Sequence, residues 1–157
     1  MSRQRVRTEP GRLPSSARWL GSAGLLPQIF LAAIVLGGPA RFSPAAMGLA
    51  LAYSALILSF IGGAWWGLAS RQPANVHWSI WLAAVAPSLI AFAAIGVWAI
   101  DQSSGPSLMV TGASLIGALG IDYKLAANGV SPPGWLRLRL PLSLGIGGLT
   151  ILIAVFS

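Results

Sequence analysis

Long apolar runs separated by short polar breaks organise this chain. Five such runs cover residues 19–38, 45–70, 78–100, 107–127 and 138–156. Each is close to the roughly 20 residues that a helix needs to cross a hydrocarbon core of about 30 Å. The breaks carry helix-stopping signals. They are Gly37-Gly38-Pro39 with Ser43-Pro44, Arg71-Gln72-Pro73, the polar turn from Asp101 to Pro106, and Asn128 to Gly134 with Pro132-Pro133. The pattern predicts an all-α membrane protein. A bundle of about five transmembrane helices fills residues 19–157, and a basic tail, residues 1–18, precedes it and is expected to be disordered.

Composition narrows the class further. Of 157 residues, 55% are hydrophobic and 8% are charged, against roughly 25% charged in an ordinary soluble domain. So few charges cannot clothe a soluble core, which excludes a cytosolic globule. The abundance of Ala, Gly and Arg suits a GC-rich bacterial genome, so a multi-pass protein of the bacterial inner membrane is expected.

Charge placement sets the orientation. With the N-terminus in the cytoplasm, the tail, Arg71, Lys124, Arg137 and Arg139 fall on the cytoplasmic side, and only Arg41 falls outside. The positive-inside rule therefore predicts N-in, C-out. The net charge of +7 flanks apolar spans, so the expected partners are the lipid bilayer and a membrane protein, not nucleic acid. Trp19, Trp65, Trp66, Trp78, Trp81 and Trp135 fall near the cytoplasmic helix ends, and Trp98 near the outer one. Indoles favour the headgroup level, so an interfacial belt is expected. A cytoplasmic-side aromatic docking surface is the sharper alternative.

Small residues and prolines suggest how the helices meet. Gly63 and Gly67 share a helix face, as do Ala113, Gly117 and Gly120, and Ser143 and Gly147. Such faces let backbones approach closely, and internal packing is expected, with a dimer face as the lesser option. Pro27 and Pro87 lie inside apolar runs and are expected to kink their helices.

Candidate chemistry is scarce. The chain has no Cys, one His and three acids, so thiolate chemistry is excluded and a histidine metal cluster cannot form within one chain. Asp122 is the most informative residue, because a carboxylate within a span is costly and marks function or a specific partner. Lys124 does not face it at a spacing of two residues. Arg71, Arg137, Arg139 or an indole N–H are the expected partners. Gln28, beside Pro27, is expected to satisfy a freed carbonyl or to bond across helices. Asp101 and Asp122 belong near opposite membrane faces and cannot act as one acid/base pair. His77 is expected to make a surface or headgroup contact. No catalytic residue, cofactor or metal is therefore expected.

Two stretches carry a resemblance. One is Ile57-Leu58-Ser59-Phe60-Ile61-Gly62-Gly63-Ala64-Trp65-Trp66-Gly67-Leu68-Ala69, with Tyr53 before it. The other is Trp135-Leu136-Arg137-Leu138-Arg139-Leu140-Pro141-Leu142. With Gly24-Leu25-Leu26-Pro27 and Pro87-Ser88-Leu89-Ile90-Ala91, they resemble a domain-of-unknown-function family of small polytopic membrane proteins, that of transmembrane protein 69. The resemblance implies about five membrane helices and no reaction. It also implies a histidine in most members where this chain has Trp65, so a histidine-based role there does not carry over.

The functional expectation is a non-catalytic accessory, assembly or scaffolding subunit of a larger membrane complex of respiratory or photosynthetic type. Its candidate functional or interface residues are Asp122, Gln28, Trp65, Trp66, Gly63, Gly67, Trp135 and Arg139. The alternative is a small transporter or a lipid- or quinone-binding protein that uses Asp122 and Gln28.

Overall fold

The computed structural model describes residues 15–71 and 77–157. Helix α1 is Ser15–Ala23, α2 Leu26–Gly37, α3 Ser43–Ala69, α4 Trp78–Asp101, α5 Ser104–Ala127 and α6 Trp135–Val155. A single 3-10 turn, Ala40–Phe42, leads into α3. Five helical stretches are long and apolar enough to cross a membrane, with α1 and α2 together forming the first. Residues 15–18, expected in the polar tail, begin α1; residues 1–14 lie outside the described residues.

The first span is broken rather than kinked. Its break falls at Gly24-Leu25, and Pro27 stands in the first turn of α2. There the missing proline N–H was never needed for a helix bond. The Tyr53 hydroxyl of α3 donates to the Gly24 carbonyl released by the break. At 12 residues, α2 is only about 18 Å long, so α1 supplies the rest of the crossing.

Pro87 remains inside α4. Gly62 of α3 makes room for that stretch: a Cβ there would collide with the Ala84 carbonyl oxygen and touch the Pro87 ring. Ser59 and Ser88 share a hydrogen bond of 2.9 Å across the same contact. His77 proves to be the N-cap of α4, its Nδ1 accepting from the Ser79 amide. Asp101 closes α4 rather than opening the turn, and Gln102, at φ 55°, caps the helix end.

Helix α3 is central and packs on α2, α4, α5 and α6, while α5 and α6 form the most extensive pair. Their axes approach at Gly112 and Gly147: a Cβ on either would lie 2.9 Å from the other's carbonyl oxygen. Two apolar clusters fill the bundle. One gathers Leu58, Ile61, Leu115, Leu125 and Ile146; the other gathers Leu51, Leu108, Ile153 and Ala94.

The small faces expected inside are only partly there. Ser143 and Gly147 are buried in the α5–α6 contact. Gly63, Gly67, Ala113, Gly117 and Gly120 are instead exposed, and among the described residues a Cβ on any of those four glycines would meet nothing within 4 Å. Spacing identifies a stripe but not the side it faces. One residue along a helix turns the direction by about 100°, and the inward glycine of α3 is Gly62.

Candidate functional site

Asp122 lies on α5 about a turn and a half before the helix ends, and it is fully buried. Three donors from two other helices converge on its carboxylate. The Trp65 indole N–H of α3 donates to Oδ1 at 2.7 Å, and the Trp135 indole N–H of α6 donates to the same oxygen at 2.8 Å. The Arg139 Nε–H of α6 donates to Oδ2 at 2.9 Å, making a buried ion pair. Trp135 and Arg139 can act together because residues four apart share one helix face.

The chemistry of this cluster is that of a staple. An ionised carboxylate only accepts hydrogen bonds, and here both oxygens accept from fixed, planar donors. Burying an ion pair carries a large desolvation cost, which is offset only where geometry is good and further hydrogen bonds are made. The two indoles supply those bonds and bring apolar bulk to the same place. The sequence thereby couples three helices through one acid: α5 provides the acceptor, α3 one donor, and the first turns of α6 two more.

Of the partners expected for Asp122, the structure selects Arg139 and two indoles, while Arg71, Lys124 and Arg137 are exposed. The expected tryptophan belt therefore divides. Trp65 is 2% exposed and belongs to the core, and Trp135 is half-buried. Trp19, Trp66 and Trp78 remain exposed. Trp66 meets Trp81 edge to face, with ring centroids 4.7 Å apart.

Gln28 takes part in a different cluster. Its Nε2 donates to the Thr150 hydroxyl of α6 at 2.8 Å, and that hydroxyl donates to the Ile146 carbonyl at 2.7 Å. The interhelical role is thus the one realised. Thr150 stands three turns beyond Arg139 on α6, roughly 16 Å along the axis. Asp122 and Gln28 are therefore not two walls of one cavity. A further polar tie joins Ser54 of α3 to Thr111 of α5 at 3.1 Å.

Of the polar residues on the inward face of α6, Thr150 alone was not singled out beforehand. Trp135, Arg139, Ser143, Gly147 and Thr150 recur at helical spacing and form the inward face of α6. That stripe of polar, small and aromatic residues in an apolar run is legible as a single face. Gly62 and Gly112 carry no such mark, since neighbouring glycines have the same composition and point outward.

The comparisons agree with a membrane protein of unassigned activity. Transmembrane protein 69 of Xenopus tropicalis is 29% identical over 146 residues, covering 92% of this chain and 52% of that protein. The chain thus spans about half the length of that relative. No solved structure matches it. Residues 13–156 match the family described as protein of unknown function (DUF3429). That match takes in every helix described above, and the chain belongs to the DUF3429 family.

Proposed function

We propose that this multi-pass membrane protein is a non-catalytic accessory or assembly subunit of a larger membrane complex, in the bacterial inner membrane and oriented N-in, C-out. One observation carries the reading. The close-packing stripe Gly63 and Gly67 lies on the outside of α3, beside exposed Phe60 and Trp66. Small residues on an outer face let a partner helix approach its backbone, and among the described residues no side chain packs within 4 Å of where their Cβ atoms would stand. The acid that would otherwise offer chemistry is occupied in holding α3, α5 and α6 together.

Charge supports the orientation. Arg71, Lys124 and Arg137 are exposed at the end of the bundle that carries the Asp122 cluster, and Arg41 is exposed at the other. Arg139 drops out of that tally because it is buried and paired. Affinity purification from native membranes in mild detergent, read by mass spectrometry, tests the proposal. A stoichiometric larger partner that is lost in Gly63→Leu and Gly67→Leu supports it. Repeated isolation of the chain alone contradicts it.

A further inference from the structure

Helices α4 and α5 are separated in sequence by Gln102 and Ser103 alone, yet they diverge. Helix α4 packs mainly on α3, and α5 mainly on α6. Between α4 and α5 runs a groove of two hollows, of about 280 and 320 Å³, that meet at Ile90. Its α5 wall extends from Ile121 in the first hollow to Pro106 in the second, roughly 22 Å along the axis. Ile90, Val97, Pro106 and Gly117 in its walls are exposed, so it opens sideways toward the hydrocarbon. Gly117 keeps the first hollow deep. Among the described residues a Cβ there would meet nothing within 4 Å, although glycine costs about 1 kcal/mol against alanine inside a helix.

Width decides what can lie in the groove. The first hollow covers the roughly 10 Å of helix from Ser114 to Ile121, so its 280 Å³ corresponds to a channel about 5 Å across. A helix with its side chains is about 10–12 Å across and cannot enter. A single hydrocarbon chain can. One leaflet is half of a hydrocarbon core of about 30 Å, so a chain anchored at one end of the groove reaches past its middle.

The ends differ in charge. Lys124 lies three residues beyond Ile121 and seven beyond Gly117, so it continues the groove face of α5, and it is exposed. Asp122, near the same end, is buried and already paired with Arg139. At the other end Asp101, four residues beyond Val97, continues the groove face of α4 and is also exposed. An anionic headgroup is attracted at the Lys124 end and repelled at the Asp101 end. We propose that the α4–α5 groove seats one acyl chain of an anionic phospholipid, with the headgroup phosphate on Lys124 and the chain running past Gly117 toward Ile90. The inference is independent of the partner reading above, which concerns Gly63 and Gly67 of α3.

The test is native mass spectrometry of the full chain after delipidation in detergent. Dioleoylphosphatidylglycerol and dioleoylphosphatidylcholine, alike in their chains and different in charge, are added separately. A saturable one-to-one adduct is expected, with the anionic lipid bound about fivefold more tightly. Lys124→Gln should bring the two lipids to parity. Gly117→Leu fills the groove and should weaken both adducts at least about tenfold. Gly148→Leu makes the same change at an exposed glycine of α6, where a Cβ would also meet nothing within 4 Å among the described residues, and should bind as the unmodified chain does. Thermal unfolding in the same detergent confirms that the variants compared are folded. The proposal is overturned if the unmodified chain binds both lipids equally, if Lys124→Gln keeps the preference, or if Gly117→Leu binds as the unmodified chain does. A dimer of the purified chain that Gly117→Leu dissolves would also overturn it, since the groove would then hold a second copy.

Discussion

Trp65 and Asp122, from helices adjacent in space but 57 residues apart in sequence, meet through a 2.7 Å indole–carboxylate hydrogen bond. This is the tie between α3 and α5 at one end of the bundle, and Arg139 and Trp135 extend it to α6. Removing its donors should have graded effects. Trp65→Phe loses a hydrogen bond to a charged group, worth about 1.5–3 kcal/mol. Trp135→Phe should cost less, because Trp135 is half-buried and water can reach the site it leaves. Thermal unfolding of the purified variants in one detergent gives the order.

Arg139→Ala should be the most damaging single change in the cluster. It leaves a buried carboxylate without its counter-charge, a loss of roughly 3–5 kcal/mol where a buried pair is broken. Arg139→Lys keeps the charge but not the planar guanidinium, and should recover only part of the loss. The yield of monodisperse protein and its unfolding temperature measure both.

Glycines of identical local composition should divide sharply. Gly112→Ala and Gly147→Ala each put a Cβ 2.9 Å from the carbonyl oxygen of the facing helix, which forces α5 and α6 apart. Gly63→Ala and Gly67→Ala meet nothing within 4 Å among the described residues and should leave the isolated protein as stable or stabilise it by up to about 1 kcal/mol, since alanine favours a helix interior over glycine. Any loss they cause should be confined to recovery of a partner from native membranes.

The Gln28–Thr150 bond is asymmetric. In Gln28→Leu, the Thr150 hydroxyl still donates to the Ile146 carbonyl, so no buried donor is orphaned and the cost should stay near 1 kcal/mol. In Thr150→Val, the Gln28 amide loses its one acceptor while its Oε1 already has no partner. That change should cost more, about 1–3 kcal/mol. The pair, measured by unfolding in detergent, distinguishes a polar tie from simple space filling.

The span count was legible in the sequence because hydropathy is a local signal, and the need of Asp122 for partners was legible because an intramembrane acid is costly wherever it stands. Helix ends were less so. Hydropathy drops at Arg137 and Arg139, yet α6 begins at Trp135, because burial and pairing make Arg139 acceptable within the span. The break at Gly24-Leu25 was hidden because the residues around it are apolar whether helical or not. The inward choice of Gly62 over Gly63 depends on the rotation of α3 against α4, which the spacing of glycines alone does not define. Trp65 looked like a belt residue because its distance along the chain from a helix end says nothing of the face it occupies.

The central claim is that Asp122 serves to bind helices together. A double-mutant cycle between Asp122→Ala and Arg139→Ala, read as unfolding free energy in one detergent, tests it most directly. The account predicts strong coupling, about 2 kcal/mol or more, with the double variant less damaged than the sum of the two single changes. Coupling indistinguishable from zero, with each single variant as stable as the unmodified chain, would contradict it.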